Sequence, residues 1–308
     1  MRIGFSDLDS GWRAILHDKW VILGSAVAVT MAAAATEVLI VSNVHFRTVA
    51  VFFCMSVLCA SSCAYFRSAR RSDRLHSTTV ATHLPDAPIL GRIPALPDKR
   101  IDAAPGGIVQ EPGYVDAVRE AAAKFSQDSS RANSIILVSS VSPGEGKTSF
   151  ALNLAVALSR GSRVMLIDAD LREAGLSRLV ALPRYDAGLS ELIERNAPYR
   201  SCLALTSIPD LHIIRTGSLP GNVLGLLKSV RFENTLRLSR RYYDHIVIDS
   251  PALEAHPDAA LLAAHADAVV LVADARAGQF GRIRAELDKL KQVNARCAGI
   301  VFNRVNSQ

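Results

Sequence analysis

Two different apolar patterns divide the chain. Near the amino end, residues 20–41 and 48–66 form long apolar runs; the first is interrupted only by Glu37, and the second contains no charged residue. Each run is long enough to cross a hydrocarbon core of about 30 Å as a helix. Further along, the apolar runs are short and alternate with stretches of helical composition. The pattern predicts a two-helix transmembrane hairpin followed by an α/β domain.

The short runs after the hairpin have the length and composition of buried strands. Their alternation with helical stretches predicts a parallel sheet with helices on both faces. The predicted strands are 89–93, 135–138, 211–214, 268–272 and 299–302, with two more that end in charged residues within 164–172 and 245–251, and the predicted helices are 114–125, 150–158 and 282–293.

Charge predicts how the hairpin is oriented. Four arginines follow the second run at 67, 70, 71 and 74, whereas the loop between the runs carries one. Because positive charge favours the cytoplasmic side, the amino terminus and the carboxyl-terminal domain are both expected in the cytoplasm. The predicted organisation is an amino-terminal segment with the hairpin (1–66), an Arg- and Pro-rich linker (67–110) and a cytoplasmic α/β domain (111–308).

A glycine-rich loop between a strand and a helix predicts a phosphate-binding site. Gly144 and Gly146 let successive backbone N–H groups point at phosphate oxygens. Lys147 is placed to reach the β- and γ-phosphates, and the Thr148 hydroxyl to bind Mg²⁺. The first glycine of the usual motif is replaced by Val141. The expected ligands are ATP and Mg²⁺, and the residues expected to bind the nucleotide are Ser142, Pro143, Gly144, Glu145, Gly146, Lys147, Thr148 and Ser149.

Carboxylates stand at the ends of two predicted strands. Asp168 and Asp170 follow one strand, and Asp249 ends another, just before Pro251. In an open parallel sheet, ligands bind beyond the carboxyl ends of the strands. The three carboxylates are therefore expected to converge beside Lys147. Thr148, Asp168 and Asp249 are the candidate magnesium ligands.

These motifs resemble those of a known family, the bacterial tyrosine kinases that act as polysaccharide co-polymerases. Residues 143–148 match the Pro-Gly-Glu-Gly-Lys-[Ser/Thr] loop, and Asp168, Asp170 and Arg172 match an Asp-x-Asp-x-Arg motif. Asp249 matches the Asp of the family's third motif, with Pro251 one residue earlier than in the longer form. The resemblance extends from about residue 84 to residue 305.

The resemblance implies a P-loop ATPase anchored in the bacterial inner membrane. Such a protein would transfer the γ-phosphoryl group of ATP to protein tyrosine and would act with the machinery that polymerises and exports exopolysaccharide or capsule. A homo-oligomer is also compatible with it. Asn303 and Arg304 would lie near the adenine, and the catalytic residues would be Lys147, Asp168, Asp170 and Arg172. Asp168 would accept the nucleophile's proton or support the metal, and Arg172 would organise the carboxylates or a neighbouring subunit.

The chain also departs from the family pattern. Only residues 42–47 separate the two apolar runs, where the family has a large extracytoplasmic domain, and no tyrosine follows Tyr243, where the family has a tyrosine cluster. Ala122 replaces the last arginine of the family's ring-forming helix motif. A nucleotide-dependent regulatory switch without kinase activity is therefore an alternative. A partition-type ATPase is a weaker one, because Ser142 stands where those proteins have a lysine that crosses their dimer interface.

The remaining composition excludes other classes of function. The net charge of +6 comes partly from the arginines beside the hairpin, and the basic residues form no aromatic-interleaved patch, so no nucleic-acid partner is expected. The five cysteines lack metal-ligand spacing. A signal peptide cleaved near residues 33–35 is an alternative for the first apolar run. Export would, however, carry a nucleotide site into a compartment without ATP.

Overall fold

The computed structural model describes residues 87–96, 108–126, 133–180, 187–277 and 280–305. All of them belong to one compact unit, Asp73–Gln308. The predicted transmembrane runs, 20–41 and 48–66, lie outside the described residues. Within the described part of the chain, no helix combines the length and the apolar character needed to cross a membrane.

Within the described residues, eight strands form a single sheet in the order β1-β8-β7-β2-β6-β3-β5-β4. All neighbouring strands pair in parallel except β4, which pairs antiparallel with β5 at one edge. The strands are β1 (Ile89–Pro94), β2 (Ser134–Ser140), β3 (Val164–Asp168), β4 (Leu203–Leu205), β5 (Leu211–Ile214), β6 (His245–Asp249), β7 (Ala268–Asp274) and β8 (Cys297–Val305).

Helices connect the parallel strands, as crossover connections require. A 3₁₀ turn, Ala275–Ala277, follows β7. In the described part of the chain the helices are α1 (Pro112–Ser126), α2 (Lys147–Leu158), α3 (Gly175–Leu179), α4 (Leu189–Glu194), α5 (Tyr199–Cys202), α6 (Val223–Leu227), α7 (Val230–Ser239), α8 (Asp258–Ala263) and α9 (Phe280–Gln292).

The sheet is buried on both faces, which explains why its strands are almost wholly apolar. Along β2, Ile135 and Leu137 pack in one apolar cluster, with residues of α4 to α9. Ile136 and Val138 point to the other face, into a cluster that contains residues of α1, α2 and α3. This alternation is the period-two arrangement of side chains along a strand. The expected α/β fold, with helices on both faces of a parallel sheet, is therefore confirmed.

The strands and helices predicted for the α/β domain all appear, with small shifts of their ends. The strand at 89–94 lies within the segment predicted as a linker and pairs with β8 at the edge of the sheet. The division of the chain at residues 66 and 110 stays a prediction. The short elements α3 to α8 and β4 were not predicted, because segments of three to ten residues rarely carry a clear periodic signal.

Candidate nucleotide-binding site

The glycine-rich loop has the backbone conformation of an anion cradle. Gly144 and Gly146 have φ values of 79° and 93°, in the left-handed region that glycine adopts without steric cost. Helix α2 begins immediately afterwards, at Lys147. A Cβ atom at Gly146 would collide with the side-chain nitrogen of Asn303. The second glycine is therefore required both by the turn and by the close approach of β8.

Glu145 holds the loop together from the inside. Its side chain is buried and accepts hydrogen bonds from the Ser142 N–H (2.9 Å) and the Asp274 N–H (3.4 Å). Burial raises the pKa of the Glu145 carboxyl, and the hydrogen bonds from these backbone groups oppose that rise. Glu145 thus links the start of the loop to the carboxyl end of β7, so the cradle is formed by the protein itself.

Asn303 and Arg304 contact the loop from β8. The Asn303 side chain donates to the Glu145 carbonyl (2.8 Å), and the Arg304 guanidinium donates to the Gly144 carbonyl and to Asp274, both at 2.9 Å. Burial acts to raise the pKa of Asp274, but hydrogen bonds from Arg276 and Arg304 outweigh it and leave the pKa lowered. Both predicted residues are thus brought to the loop. Their contact with adenine stays a prediction.

Lys147 is buried rather than solvated. Only 7% of the residue is exposed, and its ammonium lies 3.1 Å from Asp170 Oδ2. Burial acts to lower the pKa of Lys147, but the carboxylates of Asp249 and Asp170 outweigh it and raise the pKa. The Glu173 N–H donates to the other oxygen of Asp170 (3.1 Å). The expected convergence of these charged residues beside the loop is thus observed.

Asp168 and Asp249 lie side by side at the carboxyl ends of β3 and β6. They are register partners, and neither is exposed to solvent. Asp168 Oδ1 has no hydrogen-bonding partner among the described residues, and neither Asp249 oxygen has one with normal hydrogen-bond geometry. Burial raises the pKa of both carboxyls; for Asp249 the charge of Lys147 and the nearby Thr148 hydroxyl oppose the rise, and the charge of Asp168 adds to it. Buried carboxylate oxygens without donors are costly unless a cation takes that place.

The other oxygen of Asp168 is fully engaged. Asp168 Oδ2 accepts hydrogen bonds from the Ser177 N–H (2.9 Å), the Ser177 hydroxyl (2.8 Å) and the Thr216 hydroxyl (3.1 Å). Neither Ser177 nor Thr216 belongs to a motif found in the sequence. No local pattern marked them, because they lie in different parts of the chain that only the fold brings together.

The hydroxyl residues of the loop lie at its two ends. Thr148, in the first turn of α2, packs against Gly175, where an added Cβ would come within 3.2 Å of the Thr148 hydroxyl. The Ser149 carbonyl accepts from the Asn153 side chain (2.8 Å). At the other end, the Ser142 hydroxyl donates to Glu254 (3.1 Å), which also pairs with Arg282.

Arg172 points at a partner that the sequence did not indicate. Its guanidinium forms two hydrogen bonds with Asp258 at the start of α8, at 2.7 and 3.3 Å. Asp258 is buried, and its hydrogen bond raises the pKa of Arg172. The arginine therefore ties the segment after β3 to the segment after β6. This arrangement does not test the predicted catalytic role of Arg172.

The geometry suits a nucleotide with a divalent cation. Backbone N–H groups at the start of a helix favour phosphate. Three unpartnered carboxylate oxygens beside the Thr148 end of the loop are hard oxygen donors of the kind that Mg²⁺ prefers. Lys147 supplies a positive charge next to them. The residues present therefore fit both ATP and Mg²⁺.

Comparison with known proteins agrees with this geometry. The family model of the CobQ/CobB/MinD/ParA nucleotide binding domain matches residues 136–308. The tyrosine-protein kinase CpsD of Streptococcus pneumoniae serotype 4 is 32% identical over 173 residues, which cover 56% of this chain and 76% of CpsD.

Solved structures with the same fold include two that are similar in sequence as well. The chimerical protein CapA2B2 has a TM-score of 0.67 and 26% identity, covering 75% of this chain and 100% of CapA2B2. The BceF tyrosine kinase domain has a TM-score of 0.65 and 28% identity, covering 74% of this chain and 97% of that domain. The chain therefore belongs to the CobQ/CobB/MinD/ParA nucleotide-binding family and, within it, to the P-loop ATPases of the bacterial tyrosine-kinase type.

Proposed function

We propose that this protein is a membrane-anchored kinase that uses ATP and Mg²⁺ to phosphorylate protein tyrosine in the synthesis and export of exopolysaccharide or capsule. The observation that carries the proposal is the group of buried, unpartnered carboxylate oxygens of Asp168 and Asp249 beside Lys147 and the glycine-rich loop. A folded protein tolerates such a group where a ligand compensates its charge. The tyrosine-kinase relatives support the choice of reaction.

Phosphoryl transfer depends mainly on alignment and on neutralising negative charge. Lys147 has three N–H donors, so it can keep its bond to Asp170 while another hydrogen binds a phosphate oxygen. The loop N–H groups between Gly144 and Thr148 would hold the same phosphate. Bound Mg²⁺ would supply further positive charge, held by Thr148 and Asp249, with Asp249 binding either directly or through water.

The three charged residues of the Asp-x-Asp-x-Arg segment have separate roles in this proposal. Asp168 would support the metal or accept the proton of the attacking hydroxyl through its free oxygen. Asp170 would keep Lys147 in place. Arg172, bound to Asp258, would maintain the distance between the two halves of the site.

The decisive experiment uses the purified full-length protein in detergent. It is incubated with Mg²⁺ and γ-labelled ATP, with and without membranes from the producing cell, and phosphotyrosine is separated from free phosphate. The proposal expects label on tyrosine of another protein. Labelled free phosphate without any phosphoprotein would contradict the kinase function while leaving the ATPase intact.

A nucleotide-dependent switch is the second candidate, and the placement of the tyrosines favours it. Among the described residues, Tyr114 and Tyr243 are buried and Tyr199 bonds to Ser239 through its hydroxyl (2.8 Å). Of these described tyrosines, only Tyr242 is largely exposed, at 55%. A site that turns over ATP without a tyrosine acceptor of its own would act through a change of shape in a polymerase or export partner.

The membrane anchor is a proposal that rests on the apolar runs at 20–41 and 48–66 and on the arginines that follow them. It predicts that a tag at Asn43 can be labelled from outside in cells whose cytoplasmic membrane is intact. A reporter fused after residue 75 should report the cytoplasm. A tag at Asn43 that is labelled only after permeabilisation would contradict the hairpin.

A further inference from the structure

The carboxylate of Asp168 is asymmetric. Three donors bind Oδ2, at 2.8 to 3.1 Å, whereas Oδ1 has no partner among the described residues although it is buried. The two oxygens of a free carboxylate are equivalent, so this difference is imposed by the surrounding protein. The donors decide which oxygen is available and fix the plane of the carboxylate.

Two side chains outside the known motifs provide this control. Ser177 lies in α3, and Thr216 follows β5. Their hydroxyls are 2.9 Å apart, so each restricts the rotation of the other. The same helix α3 passes the loop at Gly175, next to Thr148. Asp168 and Thr148 are therefore both positioned by the short segment 175–177.

Thr216 is itself held rigidly by its surroundings. Its carbonyl accepts from the Ser190 N–H and the Ser190 hydroxyl, both at 3.0 Å. Next to it, Gly188 and Gly217 approach so closely that a Cβ at Gly188 would collide with the backbone of Gly217. Thr216 therefore cannot move away from Asp168 without displacing the segment that precedes α4.

The carboxylate of Glu191 joins the segment at Gly188 to the segment at Ser218. It accepts hydrogen bonds from the Gly188 N–H (2.8 Å), the Ser218 N–H (3.0 Å) and the Ser218 hydroxyl. Burial acts to raise the pKa of Glu191, but these hydrogen bonds outweigh it and leave the pKa lowered. Asp168 is thus held by Thr216, and Thr216 is in turn held by segments that the Glu191 carboxylate joins.

We propose that Ser177 and Thr216 are positioning residues that hold Oδ2 of Asp168 and so leave Oδ1 as the oxygen that binds Mg²⁺. This inference rests on the proposed function, since it assumes that the site binds a nucleotide with Mg²⁺. It goes further by assigning the orientation of one ligand to two hydroxyls. Without them, the carboxylate would rotate, and its contribution to metal binding would weaken while the phosphate cradle stayed intact.

The test compares nucleotide binding with and without Mg²⁺ in full-length protein. The probe is a fluorescent ADP analogue, titrated in excess MgCl₂ and in EDTA, and the Mg²⁺ concentration for half-maximal ATP turnover is measured alongside. Thr216→Val and Ser177→Ala each remove one hydroxyl. Ser177→Thr retains the hydroxyl, and Thr235→Val, on the exposed side of α7, is the matched control.

Thr216→Val and Ser177→Ala are expected to raise the half-maximal Mg²⁺ concentration by about 3- to 10-fold, while binding in EDTA stays within about twofold, as the loss of one hydrogen bond to a charged group implies. Ser177→Thr and Thr235→Val should resemble the wild type. The double variant should show less than the product of the single effects, because the two hydroxyls contact each other.

Two outcomes would overturn the inference. One is an unchanged Mg²⁺ dependence in both Thr216→Val and Ser177→Ala. The other is an equal loss of binding with and without Mg²⁺, which would indicate that Ser177 and Thr216 have only a structural role. Thermal unfolding of each variant, together with rescue by Ser177→Thr, identifies a folding defect. If the wild type itself binds the nucleotide equally in MgCl₂ and EDTA, the proposed function fails and the inference fails with it. Failure of the variants alone leaves the proposed function standing.

Discussion

The amino and carboxyl ends of the same parallel strands differ in how their buried polar groups are compensated. At the amino ends of β2 and β6, the Ser134 hydroxyl and His245 Nδ1 bond to each other at 3.0 Å. Beside them Asp267 accepts from the Ile135 N–H and pairs with Arg240, both at 2.7 Å. At the carboxyl ends, about 15 Å away along a five-residue strand, both oxygens of Asp249 and Oδ1 of Asp168 are buried without a hydrogen bond of normal geometry from any described residue.

The difference shows where this fold accepts a free-energy cost. An unpaired buried carboxylate oxygen loses its hydration without gaining a hydrogen bond, which costs about 1–3 kcal/mol or more. At the amino ends, the polar groups named above compensate one another. At the carboxyl ends, Asp168 and Asp249 are left for a ligand to compensate. We expect variants at the two ends to affect activity and stability in opposite ways.

The largest effect is expected from Lys147→Met. This change removes the positive charge next to the loop, and turnover of ATP should fall by about 100-fold or more. Because Lys147 is buried against Asp170, the variant also leaves that carboxylate unpaired, so its unfolding must be measured separately. The matched control is Lys124→Met: Lys124 bonds to the carbonyls of Ile89 and Leu90 at the edge of the sheet. Equal turnover in wild type and Lys147→Met would contradict the site.

Asp249→Asn should separate function from stability. Loss of the ligand charge should lower Mg²⁺-dependent turnover by about 100-fold. The ligand-free variant should nevertheless unfold at a higher temperature, because the raised pKa of Asp249 means that the ionised group destabilises the folded state above its unfolded pKa. That penalty is complete above the raised pKa of the folded state, shrinks as pH falls below it and vanishes below the pKa of the unfolded state, so the stability difference from wild type should shrink on acidification. Calorimetry at several pH values measures it; a destabilised variant would contradict the comparison.

Asp267→Ala tests the other end of the strands. It removes the acceptor of the Ile135 N–H and the partner of Arg240, so the free energy of unfolding should fall by about 1–2 kcal/mol. Turnover per folded molecule should stay at the wild-type value. Asp288→Ala is the control, since both members of the Asp288–Lys291 pair are more than half exposed and contribute little. Denaturant titration measures the free energy of unfolding of both variants. A loss of turnover without destabilisation in Asp267→Ala would contradict the expectation that this end of the strands contributes to stability and not to activity.

The smallest effect is expected for tyrosine autophosphorylation. Burial raises the pKa of Tyr243 to about 12, and its hydroxyl lies 3.0 Å from His212 Nδ1, so it cannot enter an active site without disrupting the amino end of β6. Tyr242 is exposed at the same end, opposite the nucleotide site. Mass spectrometry of ATP-treated protein should therefore find little or no phosphotyrosine. Stoichiometric phosphotyrosine on any of the six tyrosines would overturn this prediction and strengthen the kinase function, and loss of the modification in Tyr242→Phe would identify Tyr242 as its site.

Local pattern was sufficient for most of the central sheet. Runs such as 135–138 and 268–272 are apolar on both faces, so their burial can be inferred without knowing their neighbours. The edge strand β4 and the short helices around it could not be predicted in this way. They consist of three to six residues, and contacts with neighbouring elements, such as the antiparallel pairing of β4 with β5, determine their conformation rather than their own periodicity.

The candidate site divides in a similar manner. Lys147, Asp168 and Asp249 follow from motifs, because each stands next to a strand or a glycine turn in sequence. Their partners do not: Ser177 and Thr216 reach Asp168 across 9 and 48 residues of chain, and Asp258 reaches Arg172 across 86. Such pairings depend on the order of strands, which no local pattern specifies.

The sequence by itself therefore determined the α/β class, the phosphate loop and the identity of its charged residues, since these depend on spacing along the chain. Only the tertiary structure decided which of those charges are compensated. Lys147 pairs with Asp170 and Arg172 with Asp258, whereas the Asp249 oxygens and one oxygen of Asp168 receive no hydrogen bond of normal geometry from the described residues. The physical reason is that burial and hydrogen bonding are properties of neighbours in space, and β3 and β6 become neighbours only when the sheet is assembled.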